Sequence, residues 1–332
     1  MVSTHDLVRA WGAVLRGKKP ALSIEITKEC PLRCPGCYAF ATDHVGRGLD
    51  LKQLHDLRGD ALVVGVTALV RRLRPLHVSL VGGDPLVRYH ELEVLVPRLL
   101  ALGVFVQIVT SAFRPLPAAW AGLDRFELVV SVDGLAPDHD RRRQPATYAR
   151  ILKHIEGHRV VVHCTLTAPM ARRPGYLEEF VQQWSANPNI KKIWMSIFTP
   201  QRGDELAEIP SAAERARIVA DLYCLRERYP KLDMPRGLIA MFAQPPASPR
   251  ECVFARATTI VSADLRTAIV PCQFGGDPDC SRCGCFASMG MAAMAEHRLA
   301  GGLTAGHIFH ASADFGDRLA RWLPQQKLPP AA

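Results

Sequence analysis

The chain has 332 residues, of which 48% are hydrophobic and 22% charged, a balance that excludes disorder, collagen and coiled coil. At roughly 150 residues per domain, the length predicts about two domains. Lys and Arg number 41 against 32 Asp and Glu, giving +9; such a charge admits an anionic substrate, a membrane surface or a solvated basic face. No RNA-recognition, helix-turn-helix or aromatic-basic pattern is present, so no nucleic-acid partner is expected. Met1–Asp6 lacks the basic start and apolar run of an export signal. The longest apolar stretch, Ala61–Val70, is about half of a bilayer span. A cytoplasmic chain with reduced thiols is expected, and its ten cysteines are available for metal.

In chain order, residues 5–16 place Leu7, Val8, Trp11, Val14 and Leu15 on one helical face. That face is expected to cap the bottom of the fold, with peripheral membrane contact as the sharper alternative. Strand-like runs follow at Leu22–Thr27, His77–Val81, Phe105–Val109, Leu128–Val132, Val160–Thr167 and Lys192–Phe198. Between and after them lie amphipathic stretches: Leu51–Leu73, Tyr89–Leu102, Thr147–His158, Gly175–Ser185 and Ala212–Arg228. Six strands, each followed by helical sequence or a short connector, read as consecutive βα units. Cys30, Gly82–Asp84, Ser111 and Asp133 each sit just after a strand, where α/β barrels keep their chemistry. Six units cannot close an eight-stranded barrel, so the predicted fold is α/β: a partial (β/α)6 TIM-like barrel, open on one side. From Pro230 the rhythm stops, and Pro329–Ala332 reads as a frayed tail. The predicted organisation is an N-terminal amphipathic helix (1–19), the barrel (20–230) and a small cysteine-rich α+β extension (231–332).

The first cysteine group, CPLRCPGC, spaces Cys30, Cys34 and Cys37 as C-x3-C-x2-C on the loop after the first strand. Three thiolates can hold three irons of a [4Fe–4S] cluster and leave the fourth iron open. Structural zinc takes four ligands, and no neighbouring residue supplies a fourth. This loop resembles that of the radical S-adenosylmethionine (radical SAM) superfamily. The resemblance implies that the open iron chelates SAM, whose reductive cleavage yields a 5′-deoxyadenosyl radical that abstracts a substrate hydrogen. An electron donor such as flavodoxin or ferredoxin is implied with it. Tyr38 after the motif is common in the family. Gly36 stands where an aromatic residue often precedes the third cysteine, so adenine packing must come from elsewhere.

SLVGGDPLVR resembles the family's GGEP motif, which makes Gly82, Gly83, Asp84 and Pro85 the expected cradle of the SAM amino group. VVSVDGLAPDHDRRR resembles the S-x-D-G…H-D-x-x-R stretch of peptide- and cofactor-maturing members. By that resemblance Ser131, Asp133 and Arg143 join the SAM site, Ser131 toward the ribose or carboxylate and Arg143 or a neighbour toward the carboxylate. Thr110 and Ser111 are further polar candidates.

The second group comprises Cys252, Cys272, Cys280, Cys283 and Cys285. The residues around Ala263–Arg266 predict a β-hairpin that draws Cys252 and Cys272 together. Five thiols suffice for one four-ligand cluster, iron–sulfur or structural zinc. The segment resembles the SPASM and shorter twitch extensions, which implies one auxiliary [4Fe–4S] cluster; Cys283 and Cys285 compete for its fourth place. Cys164 reads as a small buried hydrophobe, or else a barrel-facing hydrogen donor, and Cys224 carries no function. Glu25 faces the barrel interior or an ion pair, only one of His163 and Cys164 points inward, and Asp204 and Glu205 are solvated or else bind substrate. The expected activity is hydrogen abstraction followed by oxidation or crosslinking of a peptide or small-molecule substrate. The alternatives are adenosyl transfer or carbon–carbon bond formation on a lipid-like substrate, and a non-catalytic zinc-binding protein.

Overall fold

The computed structural model describes residues 4–145 and 148–322; Thr147 and the tail Pro329–Ala332 lie outside the described residues. Seven strands form one parallel sheet: β1 (Ala21–Glu25), β2 (His77–Val81), β3 (Phe105–Thr110), β4 (Phe126–Ser131), β5 (Val160–Leu166), β6 (Ile190–Ile197) and β7 (Thr258–Val261). Their order is β6-β5-β4-β3-β2-β1-β7, and the sheet does not close. The expected partial barrel is the fold observed. It carries one strand more than expected, β7, drawn from beyond Pro230 and paired with β1.

Each strand presents two unlike faces. Leu22 and Ile24, Val78 and Leu80, Val106 and Ile108, and Leu128 and Val130 share one buried core with the helices. The opposite face is polar. Ser23, Ser79, Gln107 and Glu127 lie in register across β1 to β4, and the Ser79 hydroxyl donates to Gln107 Oε1 at 3.2 Å. An apolar outer face packed by helices and a polar inner face leave the barrel interior free for a ligand.

The outer layer includes the helices Gly59–Leu73, Tyr89–Ala101, Tyr176–Ala186 and Ala212–Arg228. The helix expected from Leu51 begins only at Gly59, after a single turn at Leu51–Gln53 capped by Asp50. The intervening residues are tied inward: Asp56 accepts from the Thr27 hydroxyl at 3.0 Å and from Arg88 Nη2 at 2.7 Å. Tertiary hydrogen bonds override helical periodicity here.

An open parallel sheet leaves unpaired edges, and the C-terminal third covers both. Along β6, Ile193 N–H donates to Lys231 O (2.7 Å), and Ile197 N–H donates to Gly284 O (2.9 Å). Along β7 the expected hairpin exists but differs in kind, because its first arm is itself a sheet strand, preceded by a short helix at Val253–Ala257. The Asp264 carboxylate holds the turn by accepting from Arg266 N, Thr267 N and the Thr267 hydroxyl. Ala268 then returns opposite Val261.

The N-terminal helix spans Thr4–Leu15 and lies at the barrel bottom, where Arg125, just ahead of β4, bonds Asp6 at 3.5 Å. Its expected apolar face is not the buried one. Val14 is buried, while Leu7, Val8, Trp11 and Leu15 are exposed. Among the described residues no helix is long and apolar enough to cross a membrane.

The close crossing of this segment with the helix Ala305–Ala320 requires glycine. A Cβ on Gly316 would stand 2.1 Å from Val14 O, and one on Gly17 would stand 2.5 Å from Gly316 O. Gly316→Ala is expected to cost about 1–3 kcal/mol through overpacking against backbone, read as a lower urea midpoint with an unchanged slope.

Candidate active site and auxiliary cysteine cluster

The loop after β1 carries Cys30, Cys34 and Cys37, all half-buried. It is stitched to the loop after β2, where Gly83 N–H donates to Thr27 O and Asp84 N–H to Glu29 O, both at 2.9 Å. That approach explains the two glycines. A Cβ on Gly82 would lie 2.5 Å from Thr27 O, and one on Gly83 would lie 2.1 Å from Glu29 O. Arg88, at the end of the same motif, bonds Glu29 Oε2 and Asp56 Oδ2 and braces the junction.

Asp84 is buried, and its carboxylate is fully engaged. It accepts from Leu86 N (3.0 Å), the Thr110 hydroxyl (2.6 Å), Ser111 N (2.8 Å) and the Ser111 hydroxyl (2.5 Å). Thr110 and Ser111 are thus turned onto Asp84, tying the ends of β2 and β3 together. Pro85 starts the short helix that Asp84 caps.

After β4, Ser131 lies in register with His163 on β5. Asp133 accepts from Arg143 Nε at 2.8 Å, Arg142 Nε at 3.2 Å and Thr165 N at 2.9 Å. Burial works against ionising this carboxylate, but the two guanidiniums hold its pKa well below the ordinary range. Arg142 extends to Glu208 (3.1 Å). The same arginines pull against burial at Cys34, whose pKa burial still raises. Arg33 N–H donates to Gln144 O at 2.7 Å, so the segment after Arg143 also holds the triad loop. His139, kept neutral by a pKa lowered to about 4 chiefly through burial, accepts from Asp133 N–H.

Two residues that sequence reasoning missed complete the rim. Phe198, at the end of β6, fills the space beside Gly36: a Cβ there would lie 2.7 Å from its ring. An aromatic ring thus stands beside Gly36, supplied from just past β6 and not from the motif itself. His44 is the second, bonded to Glu25 at 2.6 Å. No local spacing in the sequence marks either one.

Of the two β5 candidates, Cys164 joins the outer core and His163 is the inward one. Ser196 Oγ accepts from Phe286 N–H (3.1 Å) and hydrogen-bonds His163 Nε2 at 2.8 Å. Burial lowers the His163 pKa to about 4, and the ring is neutral at neutral pH. Asp204 caps Gln201 N (2.9 Å), and Cys224 is exposed on its helix.

The second cysteine group surrounds a small, partly open pocket lined by Cys252, Cys272, Cys280 and Cys283, with Thr199 and Phe274 among its walls. Cys285 is not in the lining; it is buried, and its sulfur accepts from Gln273 Nε2 at 3.1 Å. Among the described residues no three His, Cys, Asp or Glu side chains meet closely enough for a single metal ion, as tetrahedral zinc requires. Four thiols around one pocket are the donor set that a [4Fe–4S] cluster takes. Burial pushes Cys30 and Cys272 up to about 12, so metal binding at either set displaces protons. Tyr38 stands between the groups: it adjoins Cys37, and its ring packs edge-on to Phe274 at 5.3 Å.

No family model matches the chain. Among curated proteins it is 34% identical over 105 residues to the 7-carboxy-7-deazaguanine synthase of Hyperthermus butylicus, covering 31% of this chain and 39% of that one. It is 31% identical over 123 residues to the PqqA peptide cyclase of Rhizobium meliloti, covering 36% and 30%. Among solved structures, SuiB of Streptococcus suis bound to precursor peptide SuiA superposes with a TM-score of 0.58 at 14% identity, over 81% of this chain and 63% of SuiB. The anSMEcpe structure with bound AdoMet gives 0.57 at 12% identity, over 91% and 97%. These are radical SAM enzymes. The chain has the radical SAM fold. The matched segments span about a third of the curated relatives' length.

Asp133, ionised and paired in the fold, has an ordinary pKa of 3.8. Its stabilisation is complete above that value and is lost as pH falls toward the lower folded-state pKa. Asp133→Asn leaves Arg143 buried without its counter-charge and is expected to cost about 3–5 kcal/mol. The same change should flatten that part of the acid limb; urea unfolding followed against pH checks both.

Proposed function

We propose that the chain is a radical SAM enzyme with one auxiliary [4Fe–4S] cluster, acting on a peptide or small natural-product substrate. The observation that carries this reading is the pairing of a three-thiol loop at the barrel rim with a separate cavity ringed by four thiols. Cys30, Cys34 and Cys37 hold three irons and leave the fourth open for SAM. A [4Fe–4S] cluster held there would supply one electron to break the C5′–S bond of SAM, releasing methionine and giving a 5′-deoxyadenosyl radical able to take a hydrogen atom from the substrate.

The protein's own groups bind and orient. With the Asp84 carboxylate saturated by four donors, the Gly82–Pro85 loop receives the SAM amino group through its carbonyls. Asp84 acts from behind, fixing the loop's shape. Arg143, steadied on Asp133 through Nε, presents its remaining N–H groups to the SAM carboxylate, and Ser131 contacts the ribose. Phe198 and Gly36 form the adenine wall. His163, one strand from Ser131 and facing inward, hydrogen-bonds a polar group of the substrate through Nδ1.

Cys252, Cys272, Cys280 and Cys283 hold the auxiliary cluster, which serves oxidation or crosslinking of the substrate. Cys285 supports it from outside the cavity. A flavodoxin or ferredoxin supplies the electron. A peptide substrate is supported by the likeness to a peptide cyclase and to SuiB, which was crystallised with its precursor peptide.

Anaerobic reconstitution is expected to give about eight irons per chain and 5′-deoxyadenosine on dithionite reduction. Cys34→Ala with Cys37→Ala should remove about half of the iron and all SAM cleavage; cleavage that persisted would overturn the assignment. Cys283→Ala should lose the auxiliary iron and Cys285→Ala should keep it, as iron analysis and EPR will show.

A further inference from the structure

Both ring nitrogens of His44 face acceptors. Nε2 lies 2.6 Å from Glu25 Oε1, and Nδ1 lies 3.1 Å from the carbonyl oxygen of Phe274. A carbonyl cannot donate, so Nδ1 carries a hydrogen, and a ring that also donates to a carboxylate is an imidazolium. Burial opposes that charge, but the hydrogen bond and charge of Glu25 outweigh it and raise the His44 pKa, helped by the Phe274 carbonyl and Asp50. The side chains are 0% and 2% exposed, and the second Glu25 oxygen accepts from the Ser262 hydroxyl at 2.7 Å.

This sealed ion pair joins three parts of the chain. Glu25 closes β1 just ahead of the triad loop, His44 follows that loop, and Ser262 and Phe274 flank the turn that bears Cys272. Phe274 is two residues beyond Cys272, and its carbonyl also accepts from Gln201 Nε2 at 3.2 Å. The backbone is close as well, since a Cβ on Gly275 would lie 1.9 Å from His44 O. The Tyr38 ring rests against His44 (5.7 Å between centroids) as well as Phe274.

We propose that His44 and Glu25 are a positioning pair that locks the Cys272 turn onto the SAM-cluster loop and, by cancelling each other's charge beside it, sets the reduction potential of the auxiliary cluster. The proposal rests on the iron–sulfur reading above. Cluster potentials follow local charge and burial. An unbalanced charge in a site this dry acts on the cluster far more strongly than one at the surface.

The test is an EPR-monitored redox titration of the reconstituted full chain at mildly alkaline pH, with iron content measured alongside. His44→Gln leaves the Glu25 carboxylate uncompensated and should lower the auxiliary potential. Adding Glu25→Gln should bring the potential back toward that of the wild type, a recovery that a general loss of packing would not give. An unchanged potential in His44→Gln at full iron occupancy, or no recovery in the double variant, overturns the proposal. The charge state is read separately by 15N NMR of the wild-type chain, whether or not iron is bound. Two protonated nitrogens on His44 at neutral pH support the pair, and a neutral ring overturns it. Wild-type protein that takes up no iron would defeat the functional reading, and the NMR result would still decide the pair.

Discussion

The carboxylate of Asp133 is the constraint on which the rim depends. It accepts from a backbone amide on β5 and from two adjacent guanidiniums, and one of these reaches on to Glu208. A buried carboxylate must be satisfied or neutralised, so this one residue forces the segment after β4 to fold back over the sheet. That segment in turn holds the triad loop through Arg33 and Gln144. Asp84 does the same for β2 and β3. The ends of adjacent strands are thus joined by ionised side chains, where loops alone would leave them free to drift, and a cofactor can meet a fixed set of groups.

The division of labour among the acidic groups follows. Glu25, Asp84 and Asp133 are all nearly sealed from solvent and each has its oxygens occupied. They tie the strand ends to the loops that follow them.

Much of the barrel was legible. The six βα strands lie within a few residues of their expected positions, because short Val- and Ile-rich runs between amphipathic stretches carry their own periodicity. The cysteine groups and the Gly-Gly-Asp-Pro turn were legible because their spacing is local. β7 was not: Thr258–Val261 has the pattern of any hairpin arm, and only tertiary pairing makes it the neighbour of β1. Phe198 and His44 were invisible for the same reason, since each acquires its role from a residue distant in sequence. The start of the helix at Gly59 was misjudged because Asp56 answers to Arg88 and Thr27 more than to its own neighbours. The exposed side of the first helix, with Trp11 among its residues, shows that an amphipathic pattern names a face and leaves its burial undecided.

The position of β7 beside β1 has a consequence for how the molecule comes into being. During synthesis β1 emerges early and β2 to β6 can assemble beside it, yet its other edge stays unpaired until residue 258 has been made. Non-local strand pairing of this kind is slow, and it leaves apolar edges uncovered for as long as it is pending. The turn that bears Cys272 arrives on the heels of that same strand. Completion of the barrel and presentation of the second thiol set are therefore one event in the life of the chain, and an immature barrel cannot offer a finished auxiliary site.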